Sequence, residues 1–271
     1  MIPFDYITEW RAEAPWTTAA QVEQDLILSR AVVNMFAETE ISRLLAFRGG
    51  TALYKLYLRP AARYSEDIDL VQVTAGPIGG VLDAIRHALD PWLGVPRRTT
   101  KEGRIVLIYR MSSEGQPPIP MRLKVEINSR EHFSVFGIED HELAVRSRWF
   151  TGTGKVKTYQ LDELLGTKLR ALYQRKKGRD LFDLFMAGSR AKVSPKRVVE
   201  CFGRYLEHDG QRVTRAELEM NLQEKLSDET FLSDVAPLVA PDIDWNMGDA
   251  AEYVRRELLP LLPGEPWRGG E

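Results

Sequence analysis

The period of the apolar residues changes near residue 151, and that change constrains the fold more than any other feature of the chain. Upstream, polar and apolar residues alternate along Asp67-Ile68-Asp69-Leu70-Val71-Gln72-Val73, Arg104-Ile105-Val106-Leu107-Ile108-Tyr109-Arg110 and Met121-Arg122-Leu123-Lys124-Val125-Glu126-Ile127. A period of two marks strands with one packed face. Downstream of Thr151-Gly152-Thr153-Gly154, after one more short strand at 155–159, the spacing becomes helical. Leu161, Leu164, Leu165, Leu169 and Leu172 define one amphipathic helix, and Leu181, Leu184 and Phe185 a second. Ser194-Pro195 supplies an N-cap and a first-turn proline for a third. Two or three more helices are expected to about residue 262, then an irregular tail over 263–271. The expected class is α+β: a mixed sheet with flanking helices over residues 1–154, then a C-terminal helical bundle over 155–271.

Within the first half, Val22, Leu26, Ile27, Val33 and Phe36 predict a helix capped by Thr17-Thr18. Leu44-Leu45-Ala46-Phe47 reads as a buried strand closed by Gly49-Gly50, and Leu53, Leu56 and Tyr57 as a short helix stopped by Pro60. A helix over about 80–89 follows. Residues 112–120, with three prolines and a glycine, form the loop between the last two alternating strands.

The chain has 271 residues, enough for one large domain or two ordinary ones. Its single cysteine, Cys201, excludes an internal disulfide and any Cys-x-x-Cys metal or redox motif. The opening Met1-Ile2-Pro3-Phe4-Asp5 has no basic segment followed by an apolar run, and no stretch of about 18 apolar residues exists. A cytoplasmic protein without membrane attachment is expected. Net charge is −2, but it is unevenly spread. Residues 143–179 hold ten basic residues against Asp162 and Glu163, whereas 227–253 hold seven acidic residues and no Lys or Arg. A dense basic stretch is either a solvated face or a contact for nucleic-acid phosphates.

The chemistry-bearing segment is Phe47-Arg48-Gly49-Gly50-Thr51-Ala52-Leu53-Tyr54-Lys55, followed by Arg63-Tyr64-Ser65-Glu66-Asp67-Ile68-Asp69. Two glycines between a strand and a helix let the backbone approach a ligand, and the next amides with the Thr51 hydroxyl could face a phosphate. Taken alone, Gly-Gly-Thr is weak evidence and reads first as an ordinary strand-to-helix turn. Asp67 and Asp69 share a face about 7 Å apart, where they repel unless a cation lies between them. Glu126 takes the polar face of its own strand. If that strand neighbours Asp67 and Asp69, three carboxylates converge, a donor set suited to Mg²⁺ or Mn²⁺ with substrate phosphates.

A strand, Gly-Gly, a short helix and Asp-x-Asp on the next strand resemble the polymerase-beta-like nucleotidyltransferase fold. The longer spelling is similar to the AbiEii/MenT branch, toxins of toxin–antitoxin and phage-defence systems. The later segments Leu161-Asp162-Glu163-Leu164-Leu165-Gly166-Thr167-Lys168-Leu169-Arg170 and Arg175-x-x-x-Arg179-Asp180-Leu181-Phe182-Asp183 agree with it. The resemblance covers residues 44–184, with Thr51 where many such enzymes carry Ser. It implies that Asp67, Asp69 and Glu126 hold Mg²⁺ or Mn²⁺, and that Gly49, Gly50, Thr51, Lys55, Ser65 and Lys168 contact an NTP substrate. Asp180 would support the site from the helical half. It implies transfer of a nucleotide to RNA, first of all the 3′ end of tRNA, and a cognate antitoxin protein as partner. On the residues alone, Asp180 could instead cap a helix, Lys168 could be solvated, and the acceptor could be a protein or small-molecule hydroxyl. A catalytically inactive interaction protein is the remaining alternative, and the retained carboxylates argue against it.

Overall fold

The computed structural model describes residues 2–269; Met1, Gly270 and Glu271, the last two part of the expected irregular tail, lie outside the described residues. The chain divides into two compact units, Met1–Tyr159 and Gln160–Glu271. The expected division after residue 154 falls inside a strand of the first unit, so that strand belongs wholly to the sheet.

The first unit runs α1 (Phe4–Trp10), α2 (Ala19–Ala37), α3 (Thr39–Leu44), β1 (Leu45–Arg48) and α4 (Gly49–Ala52), which continues as a wide helical turn, Leu53–Tyr57. Then come β2 (Asp67–Gln72), α5 (Gly79–Leu93), β3 (Arg97–Lys101), β4 (Arg104–Ser112), β5 (Pro120–Asn128), β6 (Ile138–Arg146) and β7 (Thr151–Tyr159). The seven strands form one mixed sheet in the order β3-β4-β5-β2-β1-β7-β6. β2 is parallel to β5 and β1 to β7; the other neighbours are antiparallel.

Thr18 caps α2 as expected, accepting from the Gln21 amide in a reciprocal capping box. The Gly pair of β7 has a packing reason: a Cβ on Gly154 would lie 3.4 Å from the Val33 backbone, so α2 approaches the strand closely there. One face of β4 and β5 is fully apolar, with Ile105, Leu107, Tyr109, Leu123, Val125 and Ile127 all buried. The opposite face is polar and half-open.

Two strands, β3 and β6, carry no sequence expectation. Both are sheet edges. β3, Arg97-Arg98-Thr99-Thr100-Lys101, is exposed at every residue, so no apolar alternation marks it. Its turn, Glu102-Gly103, has φ of 49° and 72°, the left-handed pair that two-residue hairpins require.

The second unit is helical: α6 (Leu161–Gln174), α7 (Gly178–Arg190), α8 (Pro195–His208), α9 (Arg215–Leu226), α10 (Glu229–Ser233) and α11 (Met247–Tyr253). Leu165, Leu169, Phe182, Phe202 and Tyr205 are buried among them. Ser194 stands at the N-cap of α8 ahead of Pro195, but its side chain makes no capping bond; its amide donates to Asp162 at 2.9 Å. Buried Lys225 satisfies the end of α6, donating to the carbonyls of Leu172 and, at 2.7 Å, Tyr173. Among the described residues no helix is long and apolar enough to cross a membrane.

Candidate active site

Strand register decides which side chains meet. β2 lies between β1 and β5, with Asp67 opposite Lys124 and Asp69 opposite both Glu126 and Arg48. Ile68 and Leu70 point the other way into the core. The three carboxylates named from the sequence therefore share one sheet face. Cations stand among them: Lys124 Nζ lies 3.3 Å from Asp67 Oδ2 and 2.9 Å from Glu126 Oε2, and Arg104 also pairs with Glu126. Burial would raise the Glu126 carboxyl, but Arg104 and Lys124 outweigh it and hold the group below its ordinary range. Asp69 goes the other way, raised first by burial and then by the charges of Asp67 and Glu126.

The glycine-rich turn is built against these carboxylates. Gly49 has φ +80°, and a Cβ there would overlap the Asp69 carboxylate. A Cβ on Gly50 would overlap the Arg63 guanidinium and lie 3.1 Å from Ser65 Oγ. Thr51 is buried; its hydroxyl donates to the Asp67 carbonyl at 2.6 Å and lies 2.9 Å from Ser65 Oγ. The Thr51 hydroxyl and Ser65 thus fasten the turn to the start of β2. Lys55 is committed elsewhere: its Nζ lies 2.7 Å from Asp25, a buried carboxylate that also accepts the indole N–H groups of Trp10 and Trp16.

These residues fit a divalent cation at Asp67 and Asp69. Both donors are hard carboxylate oxygens, Asp67 is 39% exposed, and Asp69 stands between the like charges of Asp67 and Glu126 and the cations Arg48 and Lys124. Glu126, the expected third ligand, faces Asp69 across the strand pair and is paired with Arg104 and Lys124.

In the second unit Lys168 does not project outward as its helix pattern suggested. It is 7% exposed, with Nζ 3.2 Å from Asp180 and 2.8 Å from Asp183, both fully buried. Arg175 forks onto Asp180 at 2.7 and 2.9 Å. Burial would raise Asp180, but Lys168 and Arg175 prevail and lower it. Four more cations of the basic stretch are paired within the same unit. Lys176 pairs with Asp228, Lys177 and Arg179 with Asp234, and Arg170 with Asp209. Asp228 and Asp234 of the acidic tail thus neutralise Lys176, Lys177 and Arg179 of the basic middle.

Lys124, Arg104, Arg48 and Asp25 were assigned no role from the sequence. For Lys124 a signal existed: it lies two residues from Glu126 on an alternating strand and so shares its face.

The family model described as nucleotidyl transferase AbiEii toxin, type IV toxin–antitoxin system, matches residues 30–253. Among solved structures, MenT4, the nucleotidyltransferase toxin Rv2826c of Mycobacterium tuberculosis H37Rv, has TM-score 0.57 and 16% identity, covering 96% of this chain and 98% of that one. A Helicobacter pylori protein described as a putative nucleotidyltransferase has TM-score 0.55 and 18% identity, with coverages of 91% and 100%. JHP933 of Helicobacter pylori has TM-score 0.52 and 16% identity, with coverages of 87% and 88%. No curated protein matches the chain significantly.

Proposed function

The chain belongs to the AbiEii family of nucleotidyltransferase toxins, and from that premise we propose that it moves a nucleotide from an NTP to RNA, with the 3′ end of tRNA as acceptor. The observation that carries this reading is Asp67 beside Asp69 on one open sheet face, with the Gly49 backbone against Asp69. Asp67 and Asp69 would hold Mg²⁺ or Mn²⁺, which when bound offsets phosphate charge and makes an attacking hydroxyl more acidic. Gly49 and Gly50 let the turn lie directly against the Asp69 carboxylate and the Arg63 guanidinium, where any side chain would collide. Lys124, 3.3 Å from Asp67, adds a positive charge beside the phosphates. Glu126 and Arg104 orient that lysine rather than touching substrate. Thr51 and Ser65 fix the turn, Lys55 ties it to α2 through Asp25, and Lys168 and Asp180 position α6 against α7. A cytoplasmic setting supplies both NTP and tRNA, and the type IV description of the family supports an antitoxin as partner.

The test is incubation of the protein with each labelled NTP, total RNA, a protein extract and Mg²⁺. Label on RNA of tRNA size is the expected result. Label on protein instead of RNA would overturn the acceptor assignment.

A further inference from the structure

The face that carries Asp67 and Asp69 extends across three more strands. Pairing places Asp67, Lys124, Ile108 and Arg97 in one row from β2 to the β3 edge. At about 4.8 Å per strand, Arg97 stands roughly 14 Å from Asp67. In the row on one side, Arg122 opposes Arg110. Two rows to the other side, Arg104 opposes Lys101. Residues 97–130 hold eight basic residues against Glu102, Glu114 and Glu126.

These cations differ from Arg175, Lys176, Lys177 and Arg179 in having no counter-ions. Arg97, Lys101, Arg110 and Arg122 are all exposed, and among the described residues none has a side-chain ion pair or hydrogen bond. Arg110 and Arg122 face each other directly, an arrangement that destabilises a sheet. Between the cations the floor is nearly neutral, made by Thr99, Val106 and the half-buried Ile108. A cavity of about 690 Å³ opens beside Arg110 and Arg122, lined also by Gln21, Gln24, Tyr64 and one carboxylate, Glu66, which accepts from the Tyr64 hydroxyl. Gln24 is 3% exposed, and its Oε1 is a buried acceptor without a partner. An uncompensated basic face leading to a carboxylate pair is the electrostatic complement of a polyanion.

We propose that the open face of β3, β4 and β5 is the docking surface for the acceptor RNA, with Arg97, Lys101, Arg110 and Arg122 neutralising its phosphates and guiding the strand to Asp67 and Asp69. The proposal rests on the RNA reading above and assigns where that RNA lies. It also moves the contact away from Arg175-Lys176-Lys177-Gly178-Arg179, whose charges are matched within their own unit.

The experiment is binding of bulk tRNA over a salt series, with NTP binding measured in parallel. Releasing counter-ions from four phosphates contributes about 2.8 to the slope of log affinity against log salt for single-stranded contacts. Replacing Arg97, Lys101, Arg110 and Arg122 together with Gln should flatten the slope by about that amount, weaken tRNA at least ~10-fold at low salt, and leave NTP binding unchanged. Arg97→Gln with Lys101→Gln, confined to the exposed edge strand, should flatten it by about half as much. Lys176→Gln with Lys177→Gln should leave it unchanged. A wild-type protein with a steep slope that survives the fourfold change overturns the placement while sparing the RNA reading. A wild-type protein that binds NTP but not tRNA overturns both.

Discussion

Two acidic pairs, one in each unit, sit in opposite electrostatic settings. In the helical unit Asp180 and Asp183 are fully buried, Lys168 reaches both, and Arg175 grips Asp180 through two bonds. Despite burial, Asp180 is lowered. On the sheet, Asp67 and Asp69 share a half-open face with Lys124, whose ammonium also serves Glu126, and Asp69 is raised. A buried carboxylate pair whose charge is matched by close cations holds helices together. One whose charge is left over, at a position solvent can reach, has the electrostatics of a cation site. The family motifs contain both pairs, and only their surroundings separate the roles.

The largest expected effect falls on the matched pair. Asp180→Asn leaves Lys168 and Arg175 partly uncompensated, and breaking a buried pair costs about 3–5 kcal/mol. Chemical denaturation should show that loss, with activity falling as the folded fraction falls. A stable Asp180→Asn protein would erase the distinction between the pairs.

The unmatched pair should behave in the reverse way. Asp67→Asn keeps size and most hydrogen bonding, and relieves repulsion on Asp69. Transfer should fall about 100-fold or more, near 2.7 kcal/mol at ~1.36 kcal/mol per decade, while the melting temperature stays level or rises. Wild-type transfer, or an unfolded variant, would remove Asp67 from the site.

Glu23 sharpens the comparison as a third, smaller case. It is 2% exposed, accepts the Glu114 amide at 3.0 Å, and burial pushes its carboxyl up to about 7. The folded state therefore favours the protonated form. Its contribution to stability is complete below the unfolded value near 4.5 and is lost as pH rises through about 7. Glu23→Gln cannot ionise, so its melting temperature relative to wild type should climb between pH 5 and pH 8. A constant difference across that range would show that Glu23 titrates normally.

Much of this was legible in the sequence. The alternation of Asp67 to Gln72 and of Met121 to Ile127 marked β2 and β5 and set Asp67 and Asp69 on one face, whereas Glu126 joins them only through the β2–β5 register. Thr18 and Gln21 marked the start of α2. What stayed hidden depends on pairing between distant segments. Arg97 to Lys101 has no apolar residue to reveal a strand, since an edge strand exposed on both sides has no face to bury. The 143–179 stretch looked like a basic surface because Asp228 and Asp234, which neutralise Lys176, Lys177 and Arg179, lie about fifty residues downstream. Conversely, Arg110 and Arg122 looked unremarkable apart, and only the β4–β5 register sets them side by side.

Cation binding itself tests the central claim most directly. Mn²⁺, titrated in the presence of a nonhydrolysable NTP analogue, would be followed by its own paramagnetic signal in wild type, Asp69→Asn and Glu126→Gln, each verified as folded. Assigning the cation to Asp67 and Asp69 predicts that Asp69→Asn weakens Mn²⁺ at least ~10-fold, a loss of about 1.4 kcal/mol, and that Glu126→Gln has the smaller effect. Equal Mn²⁺ affinity in wild type and Asp69→Asn would contradict it.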